Sequence, residues 1–359
     1  MAFLVSGMHR SPNFSWRTCG RGKTGFRKMT TLVTGATGFV GSAVVRCLLD
    51  DDGHDVRALV RPSSDLRNLE NLPVDVVHGD LADPLSVKKA MDGCEFLFHV
   101  AADYRLWVPD PEAMYRSNVQ GTRNVMFEAL RSGIRKVVYT SSVATLAPSS
   151  NGNSCNEVSC GCLEDMIGYY KRSKFLAEVL VQRLIEECDL PAVIVSPSTP
   201  VGPRDIKPTA TGRIILDAIS GRMPAYVDTG LNLVHVNDVA EGHRLALERG
   251  EIGERYILGG ENLSLREILE ELATLAGHSP PRFRMPHSAA ALVACISETC
   301  SKISGGGEPR VTRDSVKMAR KYMFFSSEKA KMALGYHPRP VREGLLDAVN
   351  WFRRNGYCK

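Results

Sequence analysis

Thr34-Gly35-Ala36-Thr37-Gly38-Phe39-Val40-Gly41 packs three glycines into eight residues between two apolar segments. Before it runs a short apolar segment, 31–34. After it, Val40, Val44, Val45, Leu48 and Leu49 recur at helical spacing over 40–49, ending near Gly53. A strand, a glycine-punctuated turn and a helix in that order bring free backbone N–H groups and the positive end of a helix dipole to one point. Glycine is needed because a Cβ would block both the tight turn and the close approach of a pyrophosphate to the backbone. The pattern predicts a dinucleotide held at Gly35, Thr37, Gly38, Phe39, Val40 and Gly41.

Outward from that turn the chain alternates. Strands are expected at 56–60, 74–77, 95–100, 136–140 and 192–196, and helices at about 114–131 and 169–187. Such alternation gives right-handed crossovers and a Rossmann-type doubly wound parallel sheet with helices on both faces, an α/β fold. After Pro197 the rhythm changes as Pro200, Gly202, Pro203 and Pro208 accumulate. The expected organisation is an NAD(P)-binding domain over 29–199 and a smaller mixed substrate-binding lobe over 200–359. One strand near 256–258 is expected to return to the sheet. Ligands of such folds bind in the cleft at the carboxyl ends of the strands.

Charge narrows the function. The 359 residues hold 45 Lys and Arg against 40 Asp and Glu, a formal net charge of +5. Six of those cations (Arg10, Arg17, Arg21, Lys23, Arg27, Lys28) lie in residues 1–28, which contain no acid, leaving 39 basic against 40 acidic residues. A near-neutral body argues against nucleic acid as the main partner. Residues 1–28 read as a basic disordered leader or as a mis-called start, with translation beginning at Met29; the apolar run 3–5 is too short for a secretory signal. No apolar run approaches the roughly 18 residues of a membrane span. Of ten cysteines, Cys47, Cys94, Cys188 and Cys295 sit in apolar segments and are expected to be buried thiols of a reducing compartment. Cys155, Cys160 and Cys162, in a polar loop, are expected to be exposed free thiols. They lack a nearby His as a fourth ligand, so no metal is expected.

The end of the second strand discriminates between cofactors. An acidic side chain there would hold the ribose hydroxyls of NAD, but Val60 is followed by Arg61. A guanidinium suits the extra 2′-phosphate, which favours NADP over NAD.

Among the ten tyrosines only Tyr170 has a lysine four residues on, Lys174. On a helix that spacing sets phenol and ammonium on one face, and a fixed cation stabilises the phenolate that proton transfer needs. Ser142, at the end of the strand 136–140, is placed to hydrogen-bond the reacting oxygen, with Ser141 as the alternative, since side chains alternate along a strand. The expected catalytic set is Ser142, Tyr170 and Lys174.

Together with Gly79-Asp80-Leu81, His99-Val100-Ala101-Ala102 and Thr140-Ser141-Ser142, these motifs resemble the extended short-chain dehydrogenase/reductases over nearly the whole chain from Met29. More narrowly, Ala101–Trp107, Tyr169–Ala177 and Asn232–Val236 are similar to the hopanoid-associated sugar epimerases, bacterial relatives of the dihydroflavonol reductases. The resemblance implies that Asp80 and Leu81 meet the adenine, that Ala101 lies beside the cofactor ribose and that Lys174 also touches the nicotinamide ribose. Ala102, Pro197 and Ser198 complete the expected cofactor contacts. It further implies a bacterial, cytoplasmic enzyme with peripheral membrane proximity to hopanoid lipid synthesis, and by fold analogy a homodimer. The sequence departs from the sugar-nucleotide epimerases at Arg61 and at Leu231, where those enzymes commonly place an acid and a phosphate-clamping Arg. Both departures favour a net oxidoreductase acting on a small sugar or lipid-linked substrate. A sugar epimerase with retained NAD(P) and a non-catalytic dinucleotide-binding protein remain as alternatives. Tyr104, Arg105 and Trp107 are expected at the substrate mouth, Asn118 as a backbone anchor, His235 as a core histidine and Tyr169 as packing.

Overall fold

The structure, a computed structural model, describes residues 28–358 apart from 52, 109, 148–152, 160, 304–308 and 310. The basic leader and Cys160 therefore lie outside the described residues, Lys28 excepted. In chain order the first half contains β1 (Met29–Thr34), α1 (Phe39–Asp50), β2 (His54–Val60), β3 (Asp75–His78), α2 (Pro84–Met91), β4 (Phe96–His99), α3 (Pro111–Tyr115), α4 (Gly121–Arg131), β5 (Lys136–Thr140), α5 (Gly168–Cys188) and β6 (Ala192–Pro197). The second half contains β7 (Thr199–Val201), α6 (Ala210–Ile219), β8 (Ala225–Tyr226), β9 (Gly230–His235), α7 (Val236–Arg249), β10 (Arg255–Leu258), β11 (Glu261–Ser264), α8 (Leu265–Ala276), β12 (Phe283–Arg284), α9 (His287–Ile303), α10 (Arg313–Met318), α11 (Glu328–Leu334) and α12 (Val341–Arg354).

Seven strands form one sheet in the order β10-β6-β5-β4-β1-β2-β3, every neighbouring pair parallel. The central strands are largely apolar because both faces are covered. Val33, Ala58, Phe98, Val138 and Val193 pack into one layer with residues of α1 and α7. Their chain neighbours Leu32, Leu59, Leu97, Val137 and Ile194 point the other way, against α2, α4 and α5. This period of two splits each strand between two cores. The expected Rossmann-type fold is thus the observed one, with a smaller mixed sheet, β11-β9-β7, beside it. Around that sheet α6, α8 and α12 close a third core through Ile215, Leu233, Leu269, Leu345 and Phe352.

Two local features were not anticipated. Helix α2 is only eight residues long, started by Pro84 and by the Asp83 carboxylate accepting the Leu85 amide at 3.0 Å. The helix expected over 114–131 is interrupted by a π-helical turn, Arg116–Gln120. Elements after residue 200 also return to the large sheet: α7 covers one face beside α1, and β10 pairs with β6.

Candidate functional site

The chain order reverses between β4 and β1, since β1 pairs with β2 on one side and β4 on the other. The carboxyl ends diverge there and leave a crevice. The glycine turn fills its floor. Gly35 has φ +71°, and a Cβ on it would lie 2.6 Å from Ala101 Cα; one on Gly41 would lie 2.0 Å from the Gly35 carbonyl oxygen. Only glycine lets β1, the turn and the end of β4 come this close. Gly38 caps α1 without a side-chain hydrogen bond, so the first amides of the helix face the crevice uncapped. Thr34 Oγ1 ties the turn to β4, accepting from the Ala101 amide at 3.3 Å and bonding His99 Nδ1 at 2.8 Å. His99 Nε2 reaches Thr122 at 3.0 Å, and burial pulls this imidazole down to about 3, so it bridges as a neutral ring.

A single cleft of about 1510 Å³ runs from this turn across the strand ends. It is lined by Gly35, Thr37, Gly38, Phe39, Val40, Gly41, Arg61, Asp80, Leu81, Ala101, Ala102, Ser142, Tyr170, Lys174, Pro197 and Ser198, so the fold brings the sequence-predicted set to one surface. Arg61 is exposed beside Ser63 and Ser64, which share the cleft wall. The Ser198 hydroxyl is buried without a hydrogen-bond partner among the described residues, a polar group left for a ligand. Uncapped amides, a Cβ-free floor, a guanidinium and this orphaned hydroxyl together fit a dinucleotide.

Helix α5 carries Tyr170 and Lys174, the pair expected from the sequence. The Tyr170 phenol lies beside the Ser142 hydroxyl; burial pushes the phenol above the ordinary value, Ser142 partly offsets this, and Asp103 adds to the rise. Lys174 is buried and donates to the Thr140 carbonyl at 2.8 Å and to the Tyr139 hydroxyl at 3.3 Å. Burial pulls its ammonium down to about 8, with Glu178 acting in the opposite sense. The sequence expectation that Lys174 lowers the Tyr170 pKa is not met by this arrangement. Desolvation dominates the phenol, and the ammonium is turned toward the end of β5. Ser142 opens a short turn, accepting the Ala144 amide at 3.1 Å. Ser141, the alternative, instead donates to Glu178. Glu178 also accepts from Thr145 at 3.0 Å and pairs with Arg255, an internal hub that sequence reasoning missed.

Asn118 sits on the π-helical turn. Its Oδ1 accepts the Asp103 amide at 2.7 Å and its Nδ2 donates at 2.9 Å to both the Asp103 carbonyl and Ser173 Oγ. It locks the segment after β4 to α5. Tyr104 and Arg105 line the cleft, whereas Trp107 is not among its lining residues. His235 is fully buried and caps α7, accepting the Asn237 amide at 3.0 Å. Tyr169 is exposed rather than packed. The cysteine expectations need correction too. Cys155 is buried, not exposed, because its backbone joins Phe324–Ser326 and its thiol meets the Ala147 carbonyl; Cys188 is exposed, because α5 ends there in solvent. Among the described residues no group of three or more His, Cys, Asp or Glu is placed to hold a metal ion.

The sequence profile of the NAD dependent epimerase/dehydratase family matches residues 31–259. The chain belongs to that family. A dihydroflavonol 4-reductase-like protein of Synechocystis is 47% identical over 91% of this chain and 95% of its own length. Sterol demethylase protein B of Methylococcus capsulatus is 35% identical over 91% of this chain and 99% of its own. The crystal structure of gox2253 superimposes with a TM-score of 0.83 at 56% identity, covering 92% of this chain and 99% of that one. The chain is accordingly an NAD(P)-dependent enzyme of the short-chain dehydrogenase/reductase type.

In this member of the epimerase/dehydratase family the reactant half of the cleft is largely apolar. Leu106, Ile214, Met223, Val227, Leu231, Met285, Val293, Met318 and Met323 line it, drawn from loops, α6, β9, α9 and α10. Among them two ionisable groups are buried, Asp205 and Lys171, while Lys207 and Arg213 line the same wall exposed. Asp205 is buried, its Oδ2 accepting the Thr209 amide and hydroxyl at 2.8 and 2.9 Å, its Oδ1 without a partner among the described residues. Lys171 is buried as well and also faces the cleft. Neither carries a sequence signal, since nothing local marks a residue whose partners come from so many elements. Among the described residues no helix is long and apolar enough to cross a membrane.

Proposed function

We propose that this enzyme is an NADP(H)-dependent oxidoreductase acting at a carbinol or carbonyl carbon of an apolar, lipid-class compound. The observation that supports it is one cleft with two unlike halves, joined at Ser142 and Tyr170: a glycine floor with Arg61 at one end, an apolar chamber with Leu231 at the other. When bound, the nicotinamide cofactor supplies or accepts the hydride. Tyr170 holds the proton of the reacting hydroxyl, Ser142 orients the same oxygen, and Lys174 fixes the end of β5 and charges the site beside the phenol. Arg61 with Ser63 and Ser64 would hold a 2′-phosphate. An apolar side chain at 231 offers no phosphate contact, which favours a lipid over a nucleotide sugar. The name of the sterol demethylase relative, which concerns a sterol, points the same way and accords with a place in hopanoid-type lipid metabolism.

The test is turnover of apolar ketones with NADPH and with NADH. NADPH-dependent reduction is expected, and Tyr170→Phe should lower kcat by about 10²- to 10⁴-fold with cofactor binding unchanged. An enzyme that purifies with dinucleotide bound and interconverts sugars without added cofactor would instead be a retained-cofactor epimerase. Full activity in Tyr170→Phe would remove the tyrosine from the chemistry.

A further inference from the structure

Lys171 follows Tyr170 directly on α5, yet its side chain is 93% buried, with 7% exposed. Most lysines lift their ammonium into solvent even where the stem is covered. This one lines the cleft and has no hydrogen-bond or ion-pair partner among the described residues. The charge acting on it is a second cation, Lys321. Carboxylates nearby are committed elsewhere: Asp314 lies against Gly168 and pairs with Lys317, and Asp165 receives the Cys162 amide. An ammonium that opens only onto a cleft, without a counter-charge and in the field of another ammonium, is disfavoured, and structural lysines avoid it. The arrangement stores an unmet demand for negative charge one residue from the reacting phenol. A ligand can meet it.

We infer that Lys171 is the anchor for an acidic group of the reactant, so that the compound turned over is an amphiphilic carboxylic acid. Its carboxylate sits on Lys171, its hydroxyl or carbonyl meets Tyr170 and Ser142, and its hydrocarbon body fills the apolar chamber. Because Lys171 and Tyr170 both line the cleft, one hydroxy or oxo acid can reach both. A carboxylate is the group that a single ammonium in a mostly apolar wall can match, whereas a phosphate recruits several charged donors. Burial pulls the Lys171 ammonium down to about 8, which leaves it mainly charged at neutral pH and eases further toward the charged form once a carboxylate arrives.

The inference rests on the oxidoreductase reading of this cleft, and its test separates the two. With NADPH bound, decanoate and decanol compete for Nile red held in the chamber at pH 7. Decanoate is expected to bind about tenfold tighter than decanol. Lys171→Met should abolish that preference while leaving decanol within about twofold, and Lys171→Arg should keep most of it. Methionine fills the same space without a charge, so the variant is expected to fold at least as well. A wild-type check needs no variant: the ¹³C-dimethylated Lys171 resonance should titrate at higher pH with decanoate than with decanol. Equal affinity for the two probes, a preference that survives Lys171→Met, an unmoved resonance, or no displacement by either probe would each overturn the inference. Failure of NADPH itself to bind, read by its own fluorescence, would overturn the earlier reading instead.

Discussion

At the carboxyl end of β1 the protein offers backbone: uncapped amides of α1, a floor without Cβ atoms, and charges such as Arg61 and Asp80 that stay in solvent. At the other end of the same cleft it offers mostly apolar side chains, and there two charged groups, Lys171 and Asp205, are buried while Lys207 and Arg213 stay exposed. The first arrangement grips a ligand of fixed shape whose phosphates bring their own charge. The second selects by desolvation, where a group without its partner is penalised strongly and a matched one is favoured. Recognition of a common cofactor and of a particular reactant thus use opposite electrostatic settings within one crevice. Ser142 and Tyr170 lie where the two meet.

The largest expected effect comes from breaking the cofactor half alone. In Gly41→Ala the new methyl would sit 2.0 Å from the Gly35 carbonyl oxygen, a backbone atom that cannot step aside without reshaping the turn. NADPH binding should fall by about 100-fold or more, given the phosphate contacts such a turn makes. Nile red binding in the chamber should change by less than about twofold if the halves are independent. Fluorescence titration of both ligands checks this, and a parallel loss of dye binding would show one cooperative unit. Arg61→Ala cuts more finely. Loss of one charge-assisted contact should weaken NADPH by about 10- to 100-fold and leave NADH within about twofold. Equal changes for the two cofactors would remove Arg61 from 2′-phosphate recognition.

The same contrast explains what could be read from the chain. The cofactor half is written locally, because a turn that tolerates no Cβ forces Gly35, Gly38 and Gly41 into a run of seven residues, and helical spacing ties Tyr170 to Lys174. Strands buried on both faces announce themselves as apolar runs, and the seven-stranded sheet followed from them. Helix α2 escaped notice because eight residues carry little periodicity. The direction of the Lys174 ammonium was not legible, since it depends on the Thr140 carbonyl and Tyr139 hydroxyl of a strand 34 residues away. The reactant half was hardest. Its walls join residues from Leu106 to Met323, and a buried lysine looks like any other until the fold shows which neighbours it lacks.

The smallest expected effect concerns the other buried charge of the reactant half. Burial raises the Asp205 carboxyl from its model-compound value of 3.8 to about 6, with the Thr209 hydrogen bonds and Arg213 opposing the rise. In the unfolded chain this acid ionises near pH 4, while the folded protein holds its proton until about pH 6. The group's contribution to stability is therefore present in full below pH 4 and is lost as pH rises through that window, by about 2 kcal/mol. Asp205→Asn keeps an oxygen for Thr209 and has no proton to lose. Its stability relative to wild type should improve by about that amount between pH 4 and pH 7, because titrations elsewhere are shared and cancel. Urea unfolding at both pH values, compared at equal m, measures the difference. An offset that stays flat across the window would mean that the carboxylate is solvated or paired in the folded protein, and the buried-charge half of the comparison would then stand on Lys171 alone.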